Sequence, residues 1–211
     1  MTAGYAAIVL AGGGGRRLGG RDKPALSIGG RSMLRRVLDA VADASPRIVV
    51  GPARPELDAG VVQVREQPPG GGPVAALAAG LAALDAGRDV GLVALDVDAG
   101  RDVGLVAVFA ADLPFLTPAD VEALRQAAMS DDHDGAVLVD AEGRQQWLCG
   151  VWRTRALRGR LAELHPPAGQ PMRALVSGLR VRDVDRREIG GPPPWYDCDT
   201  EDDYRRAEEW A

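Results

Sequence analysis

The sequence predicts an α/β protein in which a Rossmann-like, mostly parallel sheet lies between two layers of helices, a three-layer α/β/α sandwich. Two observations support this expectation. Short apolar segments alternate with longer helical patterns along the chain, and residues that favour helix starts, such as Ser32 and Pro73, lie between the apolar segments. Strands joined by helices pair in parallel through right-handed crossovers, which place helices on both faces of the sheet.

Each element is predicted from its local pattern. The predicted strands are the apolar runs at residues 6–10, 47–50, 61–65, 104–110, 135–140, 147–152 and 179–184. The predicted helices run from 32 to 44 with Ser32 as N-cap, from 74 to 86 after Pro73, from 117 to 129 at Thr117-Pro118, and from 201 to 210.

Length and composition favour one domain over residues 1–211, because 46% of the chain is hydrophobic and no Pro/Ser-rich linker divides it. The net charge is -5, and no basic stripe carries interleaved aromatic residues, so nucleic acid is not an expected partner. The apolar runs are too short to cross a bilayer, and no signal peptide is visible, so we expect a cytoplasmic protein. The two cysteines, Cys149 and Cys198, predict no disulfide framework.

One segment interrupts the alternation of strands and helices. Residues 85–94 recur, residue for residue, at 98–107. The repeat is too short for a solenoid, so a local duplication of a helix end and a strand start is the simplest account. We assign the central strand position to the second copy, because that copy leads directly to Asp112. The first copy is then expected to form a surface extension or an added edge strand.

A glycine-rich run at residues 10–23 ends at Lys23, the one lysine among 25 basic residues. Successive glycines let backbone N–H groups approach phosphate oxygens, and a compact ammonium is not interchangeable with the wider guanidinium of arginine. The run is not a Walker A loop, since no Gly-Lys-Ser/Thr follows it. We therefore expect Lys23 and this loop to contact a nucleotide; a merely structural turn is the alternative.

Asp112 follows the most apolar predicted strand, at the end where open α/β sheets place their ligands. A carboxylate at that position suits Mg²⁺, which proteins hold with one or two carboxylates together with substrate phosphates. The alternative is an N-cap for the next helix, but Thr117 already has the spacing for that role. Asp112 is therefore predicted to bind a metal ion.

A third candidate lies just before the predicted closing helix. In an extended segment, Asp197 and Asp199 project to the same side, and either could supply a second metal ligand. Equally, Asp199 or Thr200 could cap the helix, and the acidic residues after them could favour its positive end. The sequence leaves the two readings open.

Four groups of residues, in order along nearly the whole chain, carry a resemblance to a known family. They are Leu10-Ala11-Gly12-Gly13 with Arg16 and Asp22-Lys23-Pro24, then Gly72-Pro73-Val74 with Gly80-Leu81, then Ala111-Asp112-Leu113-Pro114, and finally Asp199-Thr200-Glu201-Asp202. With these motifs the sequence resembles the molybdenum cofactor guanylyltransferases, within the wider nucleotide-diphospho-sugar transferase type of fold. The double glycine and the Asp-Lys pair are more similar to guanylyl than to cytidylyl enzymes.

The resemblance implies transfer of GMP from GTP to the terminal phosphate of Mo-molybdopterin, with Mg²⁺ as cofactor and pyrophosphate as product. A molybdoenzyme or chaperone would then receive the dinucleotide. The resemblance assigns residues as follows: Leu10, Ala11, Gly12 and Gly13 to the guanine and phosphate loop, Arg16 and Lys23 to the triphosphate, and Asp112 to Mg²⁺. Glu66 is expected beside the base, where it would accept from guanine N1–H and the N2 amine; a solvated loop carboxylate is the alternative.

The sequence also departs from the family pattern. Relatives often carry asparagine where this chain has Val50-Gly51-Pro52 and at the positions of Asp197 and Asp199, and this chain contains no asparagine. Trp147 stands where relatives often place proline, in the segment that faces the acceptor. A CTP-dependent molybdopterin cytidylyltransferase, or an enzyme for another phosphorylated acceptor, is therefore the alternative function. A non-catalytic GTP-binding protein is a more distant one.

Overall fold

The computed structural model describes residues 4–12, 21–89, 104–187 and 190–211. Nine strands and six α-helices lie in these ranges. The strands are β1 (Ala6–Leu10), β2 (Ser27–Ile28), β3 (Arg31–Ser32), β4 (Arg47–Val50), β5 (Val61–Val64), β6 (Leu105–Ala110), β7 (Gly135–Val139), β8 (Gln145–Arg153) and β9 (Val181–Asp185). The helices are α1 (Met33–Ala40), α2 (Pro73–Asp89), α3 (Pro118–Ala128), α4 (Thr154–Glu163), α5 (Met172–Val176) and α6 (Glu201–Trp210).

Seven strands form the main sheet in the order β5-β4-β1-β6-β8-β7-β9, and β2 and β3 form a separate hairpin. β5, β4, β1 and β6 are mutually parallel, and β7 is parallel to β9. β8 is antiparallel to both of its neighbours. The mostly parallel α/β fold is therefore confirmed, and β8 is the strand of the main sheet that runs against the others. The reason is the short turn between β7 and β8, where Asp140 N–H donates to the Arg144 carbonyl at 3.0 Å and no crossover helix intervenes.

Two hydrophobic cores cover the two faces of the sheet. On one face, alternate residues of β1 and β6 such as Val9 and Phe109 pack under α1 and α3. On the other face, their neighbours such as Ile8 and Val108 pack under α2, α4 and α5. Both strands are buried on both sides, as their continuous apolar sequences require. The predicted three layers are thus present.

The helix starts follow the predicted signals. Ser32 caps α1 by accepting from Arg35 N–H at 3.3 Å, and Thr117 caps α3 in a reciprocal capping box with Asp120. α1 ends at Ala40, four residues before the predicted end at 44. The hairpin β2–β3 and the helices α4 and α5 were not predicted, because each is short or lacks a strong apolar period.

The second copy of the duplicated segment supplies β6, next to β1 in the middle of the sheet. The predicted assignment of that copy is confirmed. The first copy begins in the last turn of α2, and its remainder, with the predicted surface extension, lies outside the described residues.

Candidate active site

The carboxyl ends of four parallel strands lie side by side, because Val64, Val50, Leu10 and Ala110 are paired in register. The residues that follow these ends therefore share one edge of the sheet. They are Glu66 after β5, Gly51 after β4, Gly12 after β1 and Asp112 after β6. This is the edge at which open α/β sheets bind their ligands.

Lys23 and Asp112 meet at this edge. The Lys23 ammonium donates to Asp112 Oδ2 and, at 2.6 Å, to Asp199 Oδ1, which lies just before α6. Burial alone would lower the pKa of Lys23, but the Asp112 and Asp199 carboxylates outweigh it, and the pKa lies above its usual value. Lys23 is therefore a positive charge at neutral pH, held between two carboxylates.

A buried arginine fixes the segment that carries Lys23. Arg54, in the loop between β4 and β5, is 3% exposed and donates to both carboxylate oxygens of Asp22 at 2.6 and 2.7 Å. Lys23 directly follows Asp22 and opens a short 3₁₀ helix with Pro24 buried beneath it. Bidentate arginine–carboxylate pairs fix orientation as well as distance. Arg54 could not be predicted from the sequence, because one arginine among 24 carries no signal of burial.

Only one of the two carboxylate oxygens of Asp112 accepts a hydrogen bond from the described residues. Its Oδ1 is buried and has no hydrogen-bond partner among the residues that the structure describes. Thr117, not Asp112, caps α3, so the N-cap alternative for Asp112 is wrong. An unpartnered buried carboxylate oxygen is unfavourable unless a cation or a donor reaches it, and hard cations prefer oxygen ligands.

Asp197 and Asp199 are both near Asp112, but they differ in their contacts. Asp199 reaches Lys23, whereas Asp197 lines a cavity together with Asp112. Partial burial, followed by the repulsion of Asp199 and Asp112, raises the pKa of Asp197. The segment is not a strand, and Thr200 is the cap of α6, as one of the two readings expected. Metal binding by Asp197 or Asp199 stays a prediction. Within the described ranges, no three His, Cys, Asp or Glu side chains are arranged to hold a metal ion together.

Glu66 lies beside Gly12 and is 6% exposed, so the alternative of a solvated loop carboxylate is wrong. Its Oε1 accepts from Gly70 N–H at 2.9 Å, and its Oε2 is buried without a partner in the described part of the chain. A Cβ on Gly12 would lie 3.5 Å from Glu66 Oε1. A Cβ on Gly51 would lie 2.8 Å from the Ala11 carbonyl, so glycine is required where the two loops cross.

The other predicted residues of the loop fall into two groups. Leu10 and Ala11 are buried in the core, at 7% and 2% exposure, so a ligand would meet their backbone rather than their side chains. Gly13 and Arg16 lie outside the described residues. Both cysteines are buried, and burial raises the pKa of both thiols, that of Cys198 to about 12, which disfavours the thiolate at neutral pH.

A cavity of about 300 Å³ extends from Asp112 toward β8. Its lining includes Asp112, Asp197, Trp147, Trp195 and Met172. Because β8 lies next to β6 on the side opposite β1, the cavity and Gly12 lie on opposite sides of Asp112. The lysine–carboxylate cluster therefore adjoins the cavity on one side and the ends of β1, β4 and β5 on the other.

An open α/β sheet with a glycine loop, a lysine and strand-end carboxylates at one edge has the features of a nucleotidyltransferase, and solved structures share the fold. Molybdopterin-guanine dinucleotide biosynthesis protein A from Archaeoglobus fulgidus is 19% identical with a TM-score of 0.70, covering 97% of each chain. The 2-C-methyl-D-erythritol 4-phosphate cytidylyltransferase from Thermus thermophilus is 22% identical with a TM-score of 0.65, covering 98% of each chain. Residues 7–184 match the MobA-like NTP transferase domain, and the chain belongs to that family.

Relatives carry the name that the resemblance suggested. A probable molybdenum cofactor guanylyltransferase from Mycobacterium tuberculosis is 32% identical over 196 residues, which cover 89% of this chain and 88% of the relative. A molybdenum cofactor guanylyltransferase from Rhodopseudomonas palustris is 35% identical over 153 residues, which cover 71% of this chain and 67% of the relative. The resemblance stated from the sequence motifs is confirmed. In the part of the chain that the structure describes, no helix is long and apolar enough to span a membrane.

Proposed function

We propose that this protein transfers GMP from GTP to the terminal phosphate of molybdopterin and releases pyrophosphate, with Mg²⁺ as cofactor, in the cytoplasm. The observation that carries the proposal is the Lys23 ammonium held between Asp112 and Asp199 at the carboxyl edge of the sheet. A nucleotide there would meet a fixed positive charge and a carboxylate able to hold a divalent ion. The names of the relatives support guanylyltransfer to the molybdenum cofactor.

The donor nucleotide would bind on the β1 side of the cluster. Ala11 and Gly12 directly follow β1 and lie against Gly51 at the end of β4, so the Gly12 N–H would meet phosphate oxygens at this edge. The buried Glu66 carboxylate lies beside Gly12, and one of its oxygens has no hydrogen-bond partner among the described residues. A carboxylate accepts the two donors on one edge of guanine, N1–H and the N2 amine, whereas cytosine offers an acceptor nitrogen there. Glu66 therefore favours GTP over CTP.

In the reaction, an oxygen of the acceptor phosphate attacks the α-phosphorus of GTP. One P–O bond forms, the bond from the α-phosphorus to the bridging oxygen of the β-phosphate breaks, and pyrophosphate leaves with that electron pair. A phosphate monoester is already anionic near neutral pH, so no general base is needed. Lys23 stabilises the negative charge that develops on the triphosphate, and the fixed position of its ammonium is what makes that charge effective.

The carboxylates at this site fit a magnesium ion. Asp112 Oδ1 is buried without a partner in the described residues, and the Asp199 carboxylate lies on the other side of Lys23. Asp112 and Asp199 would hold the ion, which when bound neutralises charge on the phosphates. Two carboxylates, those of Asp112 and Asp199, contact one ammonium, and the Asp197 carboxylate lies near both, so the excess negative charge would attract a further cation. Arg16 is proposed to contact the triphosphate, and a molybdoenzyme or chaperone to receive the product.

The test is turnover with defined nucleotides. Purified protein is incubated with Mg-GTP or Mg-CTP and molybdopterin, and pyrophosphate and the dinucleotide product are measured. We expect pyrophosphate release that requires both GTP and molybdopterin. Faster release from CTP would identify a cytidylyltransferase instead. Binding of GTP without release from either nucleotide would identify a non-catalytic GTP-binding protein.

A further inference from the structure

We propose that the cavity beside Asp112 binds the fused heterocycle of the acceptor between Trp147 and Trp195, and that these two side chains determine acceptor specificity. This inference rests on the proposed function, which supplies a pterin as the ring. It concerns two residues, Trp147 and Trp195, that are not among the motifs that carry the family resemblance.

The shape of the cavity comes from an irregularity in β8. Val137 of β7 is paired with Gly150 of β8, but the next residue, Leu138, is paired with Gln146. Three residues of β8, from Trp147 to Cys149, are therefore left over in this pairing. Bulges of this kind re-aim side chains next to active sites. Gly150 permits the irregularity, since a Cβ there would lie 2.8 Å from both the Ala136 carbonyl and Val137 Cγ1.

The two tryptophans approach the cavity from opposite faces of the sheet. Trp147 packs against the core under α2, α4 and α5, and Trp195 packs against the core under α1 and α3. Both line the cavity, and both are partly exposed. A cavity lined by two indole rings suits a flat ring system, because aromatic side chains stack on such a ligand.

Trp147 is held in place before any ligand arrives. Its indole N–H donates to Gln145 Oε1 at 3.0 Å, and Gln145 in turn donates to Asp183 Oδ1 of β9 at 2.7 Å. A side chain fixed by such a chain of hydrogen bonds loses little freedom when it stacks on a ligand, so more of the contact energy appears as affinity. Gln145 therefore acts as a positioning residue for Trp147.

The topology indicates that this compartment takes the acceptor rather than the guanine base. Gly12 and Glu66 follow β1 and β5, on one side of Asp112, while Trp147 belongs to β8 on the other side. Asp112 lines the cavity and contacts the Lys23 ammonium, so the acceptor phosphate would lie toward Lys23 and the acceptor ring toward the tryptophans. A volume of about 300 Å³ lies at the lower end of the range for small-molecule sites, enough for the acceptor ring alone.

The test compares leucine and phenylalanine variants of the two tryptophans. Trp147→Leu and Trp195→Leu keep apolar bulk but remove the flat ring, whereas Trp147→Phe and Trp195→Phe keep an aromatic face. Each leucine variant should raise the KM for molybdopterin about tenfold or more, the scale of one lost stacking contact, with the Kd for GTP unchanged. Each phenylalanine variant should retain most of the affinity. Trp210→Leu, which removes a tryptophan that does not line the cavity, should leave both values unchanged.

A second measurement does not depend on turnover. Binding of 6-hydroxymethylpterin, a minimal pterin, is measured by equilibrium dialysis with the wild-type chain and the same variants. We expect binding that both leucine variants weaken and both phenylalanine variants retain. If the wild-type chain turns over but the leucine variants change neither the KM nor the dialysis result, the inference is wrong while the proposed function stands.

The remaining outcomes are equally decisive. Leucine variants that weaken GTP instead of the acceptor would show that the cavity holds guanine, which overturns the inference. If the wild-type chain releases no pyrophosphate, the proposed function fails. Binding of 6-hydroxymethylpterin in the dialysis experiment is then the only test of the cavity. Pterin binding that is lost in the leucine variants would support the site, and no pterin binding by the wild-type chain would refute it.

Discussion

The two halves of the sheet edge are built differently. On the donor side, β5, β4, β1 and β6 are parallel, their ends are in register, and Glu66, Gly51 and Gly12 follow these ends. On the acceptor side, β8 runs antiparallel and carries three unmatched residues opposite β7. Parallel strand ends place short loops at fixed positions, whereas an irregular antiparallel strand can present different side chains with little change to the fold.

Because the two sides are built from different strands, a substitution on one side should affect one substrate and not the other. Residues on the donor side should change the kinetics with GTP, residues on the acceptor side should change the KM for molybdopterin, and Lys23 and Asp112, which adjoin both, should change turnover. Variants of Lys23 and Asp112 test that division on the shared residues, and variants of Arg54 test it on the donor side. The tryptophan variants test it on the acceptor side.

The largest effect is expected for Lys23→Ala. Removing a fixed charge at the triphosphate should lower kcat by at least about a hundredfold, the scale of losing one preorganised contact to the transition state. Lys23→Arg should recover part of this loss at most, because the planar fork cannot occupy the position of a compact ammonium between Asp112 and Asp199. Steady-state rates of pyrophosphate release measure both.

A matched control removes a positive charge elsewhere. Arg205→Ala, on the exposed surface of α6, should leave kcat within about twofold, since exposed ion pairs contribute little. Near-normal turnover of Lys23→Ala would exclude Lys23 from the mechanism. The cluster of Lys23, Asp112 and Asp199 would then not act in the reaction at the junction of the donor and acceptor sides.

A smaller effect is expected for Asp112→Asn. The substitution keeps the shape of the side chain but removes its charge, so the Mg²⁺ concentration for half-maximal rate should rise by about tenfold, the equivalent of 1.4 kcal/mol. Asp197→Asn should shift the same titration less, because Asp197 lines the cavity and does not contact Lys23 among the contacts that the structure describes. An unchanged titration for Asp112→Asn would mean that another residue holds the metal.

The donor half could be predicted from the sequence because its signals are local. A continuous apolar run such as 104–110 is typical of a strand buried on both faces, and parallel pairing then brings Asp112 to the same edge as the glycine loop. The convergence of Lys23 with Asp112 also follows from the motifs, although the roles of these residues stay predictions. A single domain over residues 1–211 likewise stays a prediction.

The acceptor half could not be predicted in the same way, because its features depend on contacts between distant segments. The direction of β8 is set by a short turn after β7, and a helix–strand rhythm does not reveal the difference. The cavity joins β8 to the segment before α6, and no local pattern reports that Trp147 and Trp195 face one space. The burial of Arg54 and its pairing with Asp22 belong to the same class of long-range contact.

The smallest effect is expected for Arg54→Met, which removes the bidentate partner of Asp22 while filling the buried site with an apolar side chain. Asp22 is half-exposed and can be hydrated once Arg54 is gone, so stability should change little. Lys23 would lose its anchor, and kcat/KM for GTP should fall about tenfold because a catalytic charge is less well placed.

The control for this prediction is the KM for molybdopterin, which should be unchanged because Arg54 lies on the donor side. Asp22→Asn should lower the thermal midpoint more than Arg54→Met does, since it leaves a buried guanidinium facing a neutral amide. If Arg54→Met lowers the thermal midpoint but not kcat/KM for GTP, Arg54 supports the fold without positioning Lys23. If Arg54→Met raises the KM for molybdopterin instead, the donor and acceptor sides of the sheet edge are not independent. The division of the edge into these two sides would then be wrong.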